Sequence, residues 1–202
     1  MPTQADQVIS VYNSTQVKPD IQPAQVAKTP KRVLRQVLCL DDFEKPARQR
    51  LPRPIFGYIA GAAERNRSLN QNDHAFKHYG FVPRTLVDVS KRTQKVTLFG
   101  KSYNSPFGIA PMGINALSGY QGDIVLARSA AEANIPSIMS GSSLIALEKV
   151  VEAAPDTWFQ AYLPGDIARI APLIDRIASA GYKTLVLTVD IPVMGNRENN
   201  VR

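Results

Sequence analysis

Four apolar runs of this 202-residue sequence end on residues able to do chemistry. FGIAPM gives way to Pro111, Met112 and Gly113. SIMS closes on Ser140 and leads to Ser142 and Ser143. WFQAYL carries Gln160 and Tyr162. TLVLTVD ends on Thr188 and Asp190, with Arg197 in the Pro/Gly loop beyond. Hydroxyls, an amide, a phenol, a carboxylate and a guanidinium can together hydrogen-bond a polar ligand, bind an acid and orient a proton. Each alone has an ordinary reading: Ser and Thr form turns, and Gln160 is a satisfied buried amide. Four successive strands ending in this way point to a site at one common mouth.

The elements that must position these residues alternate. FGIAPM, SIMS, WFQAYL and TLVLTVD read as strands. GDIVLARSAAEANI, LIALEKVVEAA and DIARIAPLIDRIASAGY read as amphipathic helices, the last closed by Gly181. Units of about 25 to 30 residues are the spacing of βαβ units with parallel strands. A doubly wound dinucleotide-binding sheet would show G-x-G-x-x-G after its first strand, whereas this turn reads PMGINALSGYQG. No Walker G-x-x-x-x-G-K occurs either. The predicted fold is therefore α/β, the N-terminal half of a (β/α)8 TIM barrel with about four of roughly eight units. Half a barrel leaves two open parallel edges, so the chain is expected to be a fragment.

Upstream, LDDFEKPARQRLPRPIFGYIAGAAE has near-helical spacing broken by Pro46, Pro52 and Pro54, predicting short helices with abrupt joints. SLNQNDHAFKHYGF predicts a helix with Ser68 as N-cap and Gly80 as its stop. VTLFGKSYNSPF, with Gly100 at the turn, predicts a hairpin. Residues 1–38 are polar, aperiodic and punctuated by Pro2, Pro19, Pro23 and Pro30, and are expected to be a flexible extension. Residues 39–202 form the barrel part.

No apolar run approaches the roughly 20 residues of a membrane span, and the N-terminus lacks the layout of a secretory signal. One cysteine, Cys39, excludes an internal disulfide and fits a reducing, cytoplasmic compartment. The net charge of +7 is uneven: residues 1–101 hold 17 Lys/Arg against 8 Asp/Glu, the remainder 7 against 9. The positives are scattered and not interleaved with aromatics, which favours a solvated basic surface over nucleic acid. The two histidines, His74 and His78, stand at i, i+4 without a third ligand, so no metal is expected.

From about Leu40 onward the sequence resembles the FMN-dependent 2-hydroxy-acid dehydrogenases and oxidases, the family of glycolate oxidase, cytochrome-type L-lactate dehydrogenase and mandelate dehydrogenase. The resemblance is carried by LPRPIFGYIAGAAE, FVPRTLVDVS, PFGIAPMG, IMSGSS, WFQAYL and LTVDIPVMGNRE, in the family's order. It implies FMN as cofactor, with Pro111, Met112 and Gly113 running along the flavin and Ser142, Gln160 and Thr188 hydrogen-bonding the isoalloxazine. It implies Tyr58 and Arg197 as binders of the substrate carboxylate and Tyr162 as the phenol near the substrate hydroxyl. Asp190 would orient the catalytic histidine. The implied reaction is oxidation of an L-2-hydroxy acid to the 2-oxo acid, with oxygen, a quinone or a cytochrome as acceptor. The whole protein would be a homo-oligomer (a tetramer), cytoplasmic or peripheral at the inner face of a membrane.

The sequence departs from the family where GAAERN lacks an acidic pair, and where Leu144 replaces a bulky aromatic. The family's catalytic histidine, a second arginine, a lysine near flavin N1 and the phosphate site belong to later units. These 202 residues alone are therefore expected to be inactive. Two other readings stay open: a non-catalytic half-barrel that pairs its edges with another half, and a phosphate-binding barrel with unrelated chemistry.

Overall fold

In a computed structural model the chain is described at residues 36–163, 165–190, 193 and 195–198. Most of the expected N-terminal extension lies outside the described residues. The chain divides into two compact units between Ala47 and Arg48. In the first, a 3-10 turn at Leu40–Phe43 is fixed by the Asp42 carboxylate, which accepts from the N–H of Leu38 (2.7 Å) and of Cys39 (3.1 Å). The helices that follow are α1 (Glu44–Arg50), α2 (Arg53–Ala60) and α3 (Arg67–Phe76).

Pro52 caps α2 and Pro54 lies in its first turn, where a missing N–H costs nothing. Pro46 likewise falls in the first turn of α1, so it starts that helix and does not break it. In α3 the N-cap position belongs to Asn66, not Ser68, and the helix ends at Phe76, not Gly80. Beyond it the N–H groups of Lys77, His78 and Tyr79 bond three residues back, a tightened turn that carries the chain to Tyr79. His74 and His78 are both exposed there.

The hairpin forms as expected, from β1 (Val96–Leu98) and β2 (Lys101–Tyr103), antiparallel with Leu98 opposite Lys101. Then come α4 (Gly122–Ala133), β3 (Ile138–Ser140), α5 (Leu147–Ala153), β4 (Trp158–Ala161), α6 (Ile167–Ser179) and β5 (Leu185–Leu187). β3, β4 and β5 are adjacent and parallel, in chain order. The first predicted strand, FGIAPM, is reduced to a single parallel bridge between Ile109 and Ser137. Prolines at 106, 111 and 136 remove ladder donors around it. At Gly108 any Cβ would lie 2.2 Å from the Pro136 carbonyl oxygen, the oxygen that accepts from Ile109 N at 2.9 Å, so only glycine permits this approach.

Sheet alternation sorts side chains into two layers. Met139 and Phe159 face the helices, packing with Ile124, Ala127, Leu147, Val150, Val151 and Ile177. Ser140, Gln160 and Thr188 fall on the other face, toward the barrel axis. At the amino ends of the strands the hairpin closes that axis. Trp158 meets Phe99 edge-on at 5.1 Å, its indole N–H donates to Tyr103 Oη at 3.2 Å, and Lys101 pairs with Asp156. α5 and α6 are clamped at the surface by a two-pronged Arg176–Glu148 pair (2.8 and 3.1 Å). These elements constitute half of a (β/α)8 barrel.

Tyr182 ties strand, helix and loop together. Its ring packs edge-on against Phe159 at 5.3 Å, and its hydroxyl donates to the Leu147 carbonyl at 2.8 Å. Burial raises its pKa well above the ordinary tyrosine range, with the charges of Glu148 and Asp123 adding to the effect. As pH rises, the unfolded chain therefore loses this proton first. The contribution to stability is complete below pH ~10 and falls by about 1.4 kcal/mol per pH unit above it. Tyr182→Phe should cost about 1 kcal/mol at neutral pH and flatten the alkaline fall. Urea midpoints of both proteins between about pH 8 and about pH 11 check the difference.

Candidate active site

The carboxyl ends of the three adjacent strands are joined by one hydrogen-bonded chain. Ser140 and Gln160 are in register, and Gln160 is in turn opposite Val186, two residues before Thr188. Gln160, only 2% exposed, accepts at Oε1 from Ser140 Oγ (3.1 Å) and from Gly141 N (3.3 Å). Its Nε2 donates to Thr188 Oγ1 at 2.7 Å, and Thr188 N donates to the Ala161 carbonyl at 3.1 Å. The amide orientation follows from this network, because Ser140 Oγ and Gly141 N bring donors and only an oxygen can receive them both. A Cβ at Gly141 would lie 2.7 Å from the Gln160 carbonyl oxygen, so the loop's close passage over β4 requires glycine.

Donors remain at this mouth. Thr188 Oγ1 already accepts, which leaves its hydrogen free to donate outward, and Gln160 Nε2 keeps a second hydrogen. The loop after the Ile109 bridge lies against the loop after β3. Ile114 N donates to the Ser142 carbonyl at 3.0 Å, and a Cβ at Gly113 would come within 3.2 Å of Ser142 Cβ. Ser142 is exposed, and its hydroxyl makes no hydrogen bond among the described residues. Pro111 is half-buried and Met112 exposed in the same loop.

Tyr58 and Arg197, 139 residues apart, are brought together. The Arg197 guanidinium lies 4.5 Å from the centre of the Tyr58 ring. Its Nη2 donates to the carbonyls of Tyr58 and of Gly61, the latter at 2.8 Å. These carbonyls close the C-terminal end of α2, where a helix favours a cation. Glu64 N donates to the Asn196 carbonyl at 2.7 Å, docking the segment that carries Arg197. Arg197 Nε is buried and has no partner among the described residues.

Tyr162 and Asp190 stand apart from both groups. Both are exposed just past β4 and β5, and neither forms a hydrogen bond to another described residue. Among the described residues, no three metal-ligating side chains gather. The sequence reading passed over Asp123, which is buried and receives a hydrogen bond from Ser143 at 2.8 Å. A signal was available: Asp123, Ala127 and Ala130 share one helix face at i, i+4, i+7, and all three are buried.

Comparison with known proteins places this geometry. The family described as FMN-dependent dehydrogenase matches residues 47–202. L-lactate oxidase of Lysinibacillus sphaericus is 40% identical over 167 residues, covering 82% of this chain and 43% of that protein. Human 2-hydroxyacid oxidase 2 is 38% identical over 168 residues, covering 82% and 48%. Mandelate oxidase, solved as a variant with a C4a-OH-FMN adduct, superposes with a TM-score of 0.75 at 32% identity, over 79% of this chain and 49% of that one. The chain spans about half the length of the curated relatives it matches. Over residues 47–202, in sequence and in fold, the chain belongs to the FMN-dependent dehydrogenases, whose cofactor is FMN.

Proposed function

We propose that this chain supplies the substrate anchor and the pyrimidine-side flavin contacts of an enzyme that oxidises an L-2-hydroxy acid to the 2-oxo acid. The observation that carries the substrate class is Arg197, stacked on Tyr58 with an unspent Nε donor. Its charge and its remaining Nη1 and Nε hydrogens suit a carboxylate, which every 2-hydroxy acid carries. Tyr58 belongs to the same anchor as the aromatic platform that fixes the plane of Arg197.

The donor set fits FMN. A flavin's pyrimidine edge alternates acceptors and donors, and Thr188, Ser142 and the second hydrogen of Gln160 Nε2 offer neutral hydrogen bonds to it. The Pro111–Met112–Gly113 loop, lying against Ser142, offers its backbone and the exposed Met112 side chain. When bound, FMN supplies the acceptor for two electrons and a hydrogen. Tyr162, exposed beside β4, is assigned the substrate hydroxyl, to which its phenol can donate. Asp190 is assigned the orientation of a catalytic histidine and the stabilisation of its protonated form. Leu144, exposed on the loop after β3, leaves the size of the accepted acid open.

This sequence holds two histidines, His74 in α3 and His78 just beyond it. The residues in hand therefore bind and orient, while the proton acceptor comes from outside them. A second reading has its own observation. β5 carries exposed Leu185 and Leu187 and has no partner on its outer side among the described residues. Such an edge suits pairing with another half-barrel in an assembly without chemistry.

The full-length protein that carries this sequence should bind FMN, and its flavin absorption should bleach anaerobically with an L-2-hydroxy acid. A protein that takes up no flavin, or whose flavin stays oxidised with every 2-hydroxy acid tried, contradicts the proposal. In that protein Arg197→Lys, which keeps the charge but loses the planar, carbonyl-anchored donor set, should lower kcat/KM by about 10- to 100-fold, with little change in FMN affinity. The isolated 202-residue chain should neither hold FMN tightly nor turn over. Substrate oxidation by the purified chain would refute that, and a stable dimer by light scattering without flavin would favour the assembly reading.

A further inference from the structure

The loop after β3 is held on a second side by a buried carboxylate that the chemistry above does not use. Asp123 stands in the first turn of α4, 7% exposed. Its Oδ2 accepts from Ser143 Oγ at 2.8 Å, and Ser143 Oγ accepts from Ile145 N at 3.0 Å. A hydroxyl has one hydrogen, so the direction is fixed: the Ile145 amide donates to Ser143, and Ser143 donates to Asp123. Burying a carboxylate is costly unless hydrogen bonds and local dipoles hold it. The N-terminal end of α4 supplies the dipole and Ser143 a hydrogen bond.

Ser142 lies between this staple and the Gln160 network. Its N–H donates to Ser140 Oγ at 3.1 Å, and its carbonyl accepts from Ile114 N at 3.0 Å. With its backbone held on both sides, its hydroxyl is the group left to meet a ligand. Asp123 also lines, with Ala110 and Met112, a small cavity. The acid thus bonds the loop after β3 and borders the same cavity as the 110–113 loop. We propose that Asp123 is a positioning residue of the flavin site: through Ser143 it fixes the loop that presents Ser142 to the isoalloxazine. This inference rests on the FMN reading given above.

The test is a titration of the full-length apoprotein with FMN, followed by flavin fluorescence, with thermal unfolding of each variant alongside. Asp123→Ala and Ser143→Ala should raise the FMN Kd about tenfold or more, the loss of one hydrogen bond to a charged group. Asp123→Asn, whose amide oxygen still accepts from Ser143, should stay within about threefold of the parent. Ser142→Ala should also weaken binding, and adding Ser143→Ala to it should weaken it little further, because both act through one contact. Parental Kd values in Asp123→Ala and Ser143→Ala would overturn the proposal. So would losses that add fully to that of Ser142→Ala, or that track melting temperature across all variants. A parent that takes up no FMN would instead sink the flavin reading, and this proposal with it.

Discussion

Gln160 is an amide buried in the middle of three parallel strands, and the mouth of the sheet is organised around satisfying it. Left unpaired there, such a group would cost about 2–7 kcal/mol. Its partners come from different segments: Ser140 and Gly141 after β3, and Thr188 after β5. The chain of bonds closes only when the three strands are adjacent, parallel and in the observed register. A slip of one residue would turn Gln160 toward Phe159's apolar layer and leave the amide stranded. The group that orients the mouth therefore also penalises the wrong register.

The rest of the sheet follows from that division of faces. Residues alternating with Ser140 and Gln160, namely Met139 and Phe159, have only the helices to pack against, which is where Ile124, Val150 and Ile177 present their apolar stripe. The axis beneath Gln160 would otherwise be open at the amino ends of the strands. There Trp158, on the same face as Gln160, meets Phe99 and Tyr103 of the hairpin. A polar upper end and an aromatic lower plug thus share one strand, four residues long.

The strand–helix alternation was legible because short apolar runs take turns with amphipathic segments of period 3.6 across residues 107–190, and the hairpin because Gly100 marks its turn. Legibility ended where backbone chemistry competes with pattern. FGIAPM is apolar enough for a strand, yet prolines on it and across from it leave one bridge. The end of α3 was misjudged because a helix can tighten into three-residue bonds before it reaches a glycine. At the site, residue types and strand-end positions singled out Gln160, Ser140, Thr188 and Arg197, the family resemblance alone pointed to Tyr58, and the structure brings these into two groups. For Tyr162 and Asp190 it gives exposure alone. Asp123 went unnoticed because an acid in the first turn of a helix is what capping and dipole preferences already explain.

Arg197 shows how a cation can be held without being neutralised. A carboxylate partner would fix the guanidinium more strongly, but it would neutralise the charge and take up the donors that remain. The structure holds Arg197 with neutral groups: the face of Tyr58 and two carbonyls at the C-terminal end of α2. The ring fixes the plane, the carbonyls fix one edge, and Nε is left facing no partner among the described residues. A lone buried donor of this kind is a cost to the free protein that a bound anion removes. Arg197 and Gln160 thus follow one logic: each is oriented by neutral partners and keeps a hydrogen that no described residue accepts.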